Sequence, residues 1–457
     1  MSIVLAGCSV SAGSRAPDIA TPAQWPEAST ASQPAAALWP AADWWRLFGS
    51  GQLNDLIAEA QRNNDDIAAA VARVQEADAQ VRIAGAALLP TVDLAADASR
   101  QRARVAGAAP EVYNTFSPVV SASYELDFWG KNRAQAAAAR AAAAASRYDR
   151  QTVELTVLSS VAGTYFQVLE LRDRLAVARQ NLATGQQILD GLKLEQTAGI
   201  STALDTAQQE TAVAELQAAI PPLVQQLQQN TYALAVLLGR SAHSLDFGSG
   251  SLQELTPPPV IAGLPSGLLQ RRPDIAEAEA NLSAAHADII AARAALFPEI
   301  DLTADGGFSS STLSTLLDPA SRIYSVGAGL LQPIFHGGAL RGQYAYSKAR
   351  YLELLSDYHK TVITALGNVE SALVAVRQTQ QQQQRQQDAV AKAQRAWEFS
   401  TAQLHAGTVN VLTVLNTETA LFNARDSLVQ VQYAHLQALI DLYNALGGGW
   451  HQGNSHE

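Results

Sequence analysis

Six carboxylates of this 457-residue chain, Asp93, Asp97, Glu125, Asp127, Asp301 and Asp305, fall in short segments where polar and apolar residues alternate. A period of two is that of a β-strand, so the acids share one face while Val92, Leu94, Tyr124, Leu126, Ile300 and Leu302 share the other. Such a face is first of all a solvated one, and it makes the space it borders acidic. Nothing beside it suggests catalysis. There is no His-Glu-x-x-His, phosphate loop, Gly-x-Ser-x-Gly or dinucleotide fingerprint, and the eight histidines lack metal-ligand spacing. His451 and His456 lie in a Gly/Asn tail read as disordered. No enzyme activity, metal or cofactor is expected.

The elements that must hold these acids occur twice. At a constant offset of 208 residues, Asp66-Ile67-Ala68 matches Asp274-Ile275-Ala276, Pro90 matches Pro298 and Asp93-Leu94 matches Asp301-Leu302. Between positions 66 and 97, 16 of 32 residues are identical to their counterparts. The offset persists at Gly199 and Gly407, at Glu210-Thr211-Ala212 and Glu418-Thr419-Ala420, and at Leu238-Gly239 and Leu446-Gly447. The chain thus divides into an N-terminal segment (1–40), a first copy (41–247), a Pro/Gly-rich linker (248–273), a second copy (274–448) and a tail (449–457).

In each copy a helix stops at Pro90 or Pro298, because proline has no donor and clashes with the preceding turn. Strands are expected at about 91–105, 115–128, 299–309 and 323–335, each about ten residues, the length that crosses a bilayer at a tilt. Tyr113, Phe116, Trp129, Phe308 and Phe335 lie near strand ends, where an aromatic belt would sit. From Lys131 to Ala198, and again from Ala339 to Ala406, no proline occurs, so helices of about 68 residues, roughly 100 Å, are expected. Leu352, Leu355, Val362, Leu366, Val369, Leu373 and Val376 give the second a 3-4 alternation, as Leu155, Leu158, Ala162, Tyr165 and Leu169 do in the first. Each helix turns at Gly199 or Gly407 into a returning partner, which makes antiparallel coiled-coil hairpins. Pro221-Pro222 is expected to break the first returning helix, and Gln380 to Gln384 to face water.

The charge is −11, from 31 basic and 42 acidic side chains, so no basic surface for nucleic acid is expected. Alanine-rich runs favour closely packed long helices. No apolar stretch of 18 residues occurs, so any membrane crossing falls to the strands. Four strands cannot close a barrel, and open edges in hydrocarbon leave backbone groups unsatisfied. Two chains would give eight strands, a filled interior, whereas three give twelve and a lumen. The sole cysteine, Cys8, follows Leu5-Ala6-Gly7 and precedes Ser9, which resembles a lipoprotein lipobox and predicts lipidation and a tether to membrane lipids.

Trp44-Trp45-Arg46-Leu47-Phe48, Tyr124-Glu125-Leu126-Asp127-Phe128-Trp129-Gly130, Leu264-Pro265-Ser266-Gly267-Leu268-Leu269-Gln270-Arg271-Arg272-Pro273-Asp274-Ile275 and Leu331-Gln332-Pro333-Ile334-Phe335 occur in this order. With them the chain, from about residue 40 to 448, resembles the TolC/OprM-type outer membrane factors, in particular their NodT-like lipoprotein branch. The resemblance implies a mixed α+β membrane protein, a homotrimer with a twelve-stranded β-barrel and a trimeric α-barrel of helical hairpins. It implies an exit duct that serves a periplasmic adaptor and an inner-membrane pump, often of the resistance-nodulation-division class. It also places the adaptor-contacting tips at Gly199, Ser201, Leu204 and Asp205 and at Gly407, Val411 and Leu412. Some members carry aspartates at the positions of Thr413 and Asn416; here these two are expected to form a neutral pore gate. Asp205 is expected to pair across helices, and Asp93, Asp97, Glu125, Asp127, Asp301 and Asp305 to face the lumen. The alternatives are the exit duct of a type I protein-secretion system and a non-pore periplasmic coiled-coil adaptor lipoprotein. The adaptor explains the hairpins but not the four strands.

Overall fold

The protein is described from a computed structural model, which covers residues 25, 39–104, 110–241, 250–260 and 265–450. Cys8, His451 and His456 lie outside the described residues.

The element order is α1 (Gly51–Asn63), α2 (Asp65–Ala86), β1 (Thr91–Ala103), β2 (Glu111–Glu125), α3 (Lys131–Thr197), α4 (Ala203–Leu237), α5 (Pro265–Leu268), α6 (Pro273–Ala294), β3 (Glu299–Phe308), β4 (Arg322–Leu331), α7 (Ala339–His405) and α8 (Val411–Ala445). The internal offset is written into these limits. Helices α2 and α6, α3 and α7, and α4 and α8 each start and end 208 residues apart, and β1 and β3 start 208 apart. Helices α3 and α7 each run for 67 residues without interruption.

The four strands form one antiparallel sheet in the order β1-β2-β3-β4. Three strand limits differ from expectation. Strand β2 begins at Glu111 and ends at Glu125, which leaves Leu126, Asp127 and Phe128 beyond it, and β4 ends at Leu331, before Pro333 and Phe335. At the end of β2 the cause lies in the next element: the chain turns at Gly130 (φ +81°) to enter α3, whose first amides donate to Asp127.

Two helical expectations are corrected as well. Pro221 and Pro222 lie inside a continuous α4 rather than breaking it. The carbonyls of residues 217 and 218 lose their helical donors, but neighbouring Leu223 is buried with Leu171 and Leu175 of α3, with Ile220, Val224 and Leu227 packed around them, and this apolar contact holds the helix through the pair. In α7 the buried stripe is Tyr358, Val362, Ala365, Val369, Ala372 and Val376, still a 3-4 alternation, whereas Leu352 is exposed.

The chain clusters into two compact units, one of residues 72–148 with 277–360, the other of 19–71 with 149–276 and 361–457. Neither unit coincides with a copy: the first takes its strands from both repeats, the second its helix pairs. In the second unit Trp44 and Phe48 of a short 3₁₀ turn are fully buried; Trp44 stacks on Tyr443 at 5.7 Å and Phe48 meets Phe166 edge-on at 5.0 Å. The segment read as linker is built into this unit, since Asp173 accepts from Ser251 and from the Leu252 N–H, and the Tyr443 hydroxyl donates to the Pro259 carbonyl at 3.0 Å.

Candidate functional site: the polar sheet face and the hairpin tips

The strand register decides which side chains share a face. Asp93 stands opposite Ser121, Ser121 opposite Asp305 and Asp305 opposite Ser325, so these four form one row across the sheet. Asp97 pairs with Ser117, and Glu125 with Asp301, on the same side. Asp93, Asp97, Glu125, Asp301 and Asp305 therefore lie on one face, diluted by serine and threonine, and Ser325 donates to Asp305 Oδ2 at 2.8 Å. Like charges directly opposite repel; at Glu125 and Asp301 the repulsion is relieved by Lys131, whose Nζ lies 2.8 Å from Glu125 and 3.4 Å from Glu299. The other face carries Val92, Leu94, Val120, Leu302, Tyr324, Val326 and Leu330. Among the described residues nothing covers it, with Leu94 73 % and Tyr324 88 % exposed.

Two residues, one assigned from alternation and one from its place near a strand end, fall elsewhere. Asp127 is not on the acidic face: Oδ1 accepts from the Asn132 N–H at 3.0 Å, and Oδ2 from the Arg133 N–H and Nε, both at 2.9 Å. It satisfies free amides in the first turn of α3, where a carboxylate also meets the favourable end of the helix dipole. Tyr113 is not part of an outward aromatic belt. It pairs with Gln101 on the polar face and donates to Gln101 Oε1 at 3.0 Å. Trp129 is a junction residue, stacked on Phe297 at 4.9 Å with its indole N–H on the Pro298 carbonyl at 2.8 Å.

The tips are two helix-stop motifs followed by two N-caps. Gly199 (φ +75°) and Gly407 (φ +69°) take the left-handed conformation that an L side chain resists. Behind them the Ile200 N–H reaches the Glu195 carbonyl and the Thr408 N–H the Gln403 carbonyl, six-to-one closures that terminate α3 and α7. Helix α4 then opens on a capping box: Thr202 Oγ1 accepts from the Asp205 N–H at 3.2 Å and Asp205 Oδ2 from the Thr202 N–H at 2.9 Å. Asp205 is thus used locally rather than across helices, and the Thr202 hydrogen bonds hold its carboxyl below the usual range. At α8 Asn410 Oδ1 accepts from the Thr413 N–H at 3.1 Å and its hydroxyl at 2.8 Å. Thr413 and Asn416 are exposed, as are Gly199, Leu204, Gly407 and Leu412, and Ser201 is half-buried. Val411 departs from its expected role: at 6 % exposure it faces inward at the first residue of α8.

Close to the tips lies a group with no signal in the sequence. Glu418 of α8 is 3 % exposed, and burial pushes its carboxyl up to about 7, opposed in part by a hydrogen bond with Gln209 of α4. Gln209 is fully buried and donates to the Gly185 carbonyl of α3 at 2.9 Å. The counterpart of Glu418 in the first copy, Glu210, is half-exposed and paired with Lys193 at 3.0 Å; Lys193 is matched by Thr401 in the second copy.

A sheet with one acidic and one bare apolar face, joined to helical hairpins of this length, is an arrangement for crossing a membrane around water. The profile of the outer membrane efflux proteins matches the chain twice, over residues 56–240 and 264–448. The chain belongs to this family. The two matches lie 208 residues apart, the offset of the internal duplication. The pyoverdine export outer membrane protein OpmQ of Pseudomonas aeruginosa is 41 % identical over 441 residues, covering 94 % of this chain and 92 % of OpmQ. ArpC, an antibiotic efflux pump outer membrane protein of Pseudomonas putida, is 31 % identical over 460 residues, covering 98 % and 94 %. Among solved structures, the outer-membrane channel OprN superposes with a TM-score of 0.90 at 26 % identity, over 97 % of this chain and 100 % of that one. The protein is accordingly an outer-membrane efflux channel that extends into the periplasm; its antiparallel sheet is the membrane-spanning part.

Proposed function

We propose that three copies assemble into the exit duct of a tripartite efflux system, with the acidic sheet face lining the lumen, and that the duct conducts small molecules and performs no chemistry on them. The observation that carries this reading is the sheet: among the described residues β1 and β4 leave unpaired outer edges, and nothing covers the apolar face. Edges of this kind are tolerated in a bilayer only when other strands satisfy them, and three copies give twelve strands around a water-filled interior. The exposed tip residues Leu204, Leu412 and Ile200 suit an apolar docking surface for a periplasmic adaptor, itself coupled to an inner-membrane pump. Thr413 and Asn416 form a neutral constriction, and Cys8 anchors the chain to outer-membrane lipid. The cargo is pyoverdine or a compound like it, because identity to OpmQ exceeds identity to ArpC by ten points over nearly the same span.

Mass measurement of the detergent-solubilised protein tests the three-copy assembly, and a planar bilayer tests the lumen. The channel is expected to prefer cations under a salt gradient. Asp93→Asn with Asp97→Asn, Asp301→Asn and Asp305→Asn is expected to move the reversal potential towards zero; an unchanged potential would place these acids off the conduction path. Restoration of pyoverdine export in a strain lacking its own duct tests the cargo.

A further inference from the structure

The sheet separates charge by sign as well as by polarity. Every acidic residue of the four strands lies on the polar face, and every basic one, Arg100 and Arg102 of β1 and Arg322 of β4, lies on the apolar face. All three arginines are exposed, and none of their guanidinium groups makes a hydrogen bond or ion pair with another described residue. Their position along the strands is also restricted. Arg100 and Arg102 are among the last four residues of β1, and Arg322 is the first of β4, so all three stand at the hairpin end of the sheet, away from the helices. At the same end of this face the two inner strands present Val112, Asn114, Phe116 and Phe308, with no charge.

A cation on the lipid face of a barrel is costly at mid-bilayer and close to neutral in cost at the interface. The three arginines therefore mark the level of the outer headgroups, with Ala98, Tyr324 and Val326 on the hydrocarbon side. Their restriction to the two edge strands has a second consequence, which rests on the three-copy assembly proposed above. Closing the ring sets β4 of one protomer antiparallel to β1 of its partner, so Arg322 of one meets Arg100 and Arg102 of the other at each seam.

We propose that each seam is a binding site for the phosphate group of an outer-leaflet glycolipid, held by these three guanidinium groups while its acyl chains lie on the apolar face below. The planar guanidinium fork matches phosphate oxygens two at a time, and no carboxylate on this face competes for it. A free anion would leave the bare apolar surface uncovered, whereas a phosphorylated lipid covers it and fixes the seam.

The test uses the full-length protein in detergent, titrated with an acylated glucosamine disaccharide bisphosphate, with its dephosphorylated form and with inorganic phosphate, and bound lipid is counted by native mass spectrometry. The expected result is saturable binding of up to three bisphosphorylated lipids per trimer, at least tenfold weaker for the dephosphorylated lipid and for Arg100→Gln/Arg102→Gln/Arg322→Gln. Lysine at the same positions should restore part of the difference. Equal affinity for the two lipids, or for the glutamine variant and wild type, overturns the proposal; protection against lipid binding by millimolar phosphate alone overturns the choice of a lipid occupant. Should the triple variant fail to assemble, Arg322→Gln against Arg322→Lys carries the same comparison. A wild-type protein that is not trimeric refutes the three-copy reading, whereas a trimer indifferent to phosphorylation refutes only the seam site.

Discussion

Replacing Glu418 by glutamine should change how the α4–α8 contact responds to pH. The carboxyl, 3 % exposed, titrates at about 7 in the folded chain against 4.5 in solvent. Below 4.5 both packed and separated states hold the proton, and Glu418 adds no pH dependence. Between 4.5 and 7 the separated state ionises while the packed state stays neutral, so the contact weakens as pH rises. Above 7 the full penalty is present, on the order of 3 kcal/mol at 1.36 kcal/mol per pH unit. The neighbouring charges do not cancel it, since Lys193 is engaged with Glu210 and Gln209 brings no charge. Hydrogen exchange of the amides in 203–215 and 411–424, corrected for intrinsic rates, reads the contact directly. Wild type should be protected up to two orders of magnitude more at pH 5 than at pH 8. Glu418→Gln should show no such difference and should exceed wild type at pH 8. The same pH response in both proteins would refute the assignment to Glu418.

Four further outcomes follow from the geometry. Asp127→Ala removes the acceptor of two amides and of Arg133 at the start of α3, and should cost about 1 kcal/mol, seen as faster exchange at residues 131–134. Arg174→Met leaves Glu170 buried without the guanidinium that also grips Asp426 at 2.7 Å; with Asp426 a third exposed, a loss of about 2–3 kcal/mol is expected as a lower apparent Tm. Gly447→Ala forces a left-handed φ of +87° on alanine and overlaps the Arg271 carbonyl. It should cost about 1–2 kcal/mol from φ alone and more from the overlap, read as poor recovery of folded protein. Thr413→Gly with Asn416→Gly should raise single-channel conductance if these residues line the constriction, and unchanged conductance would count against the gate.

What the sequence made legible were features fixed by local chemistry repeated at a distance. Pro90 and Pro298 lie just past the ends of α2 and α6, Gly199 and Gly407 stop helices in another way, and a shared offset shows that the two sets belong to one repeated unit. Strand alternation was legible for Asp93, Asp97, Glu125, Asp301 and Asp305 because a period of two needs no tertiary partner. It misled at Asp127, where the alternation runs on past the strand while the residue is consumed by the amides of α3, a demand set by the following element. Pro221-Pro222 misled in the opposite direction, since the apolar contact of Leu223 with α3 outweighs two missing donors.

Glu418 shows why duplication itself hides a difference. Its Glu-Thr-Ala motif is the one that contains Glu210, so the two read alike. Yet Glu210 has Lys193 across the hairpin, and Glu418 has in the matching place only Thr401. Glu210 stays at the surface in its ion pair, whereas Glu418, with Gln209 of the other hairpin packed against it, is buried, and burial pushes its carboxyl up to about 7. The two copies thus differ, a surface ion pair in the first and in the second a contact between hairpins whose strength depends on a proton, and the difference becomes visible only when the residues opposite are known.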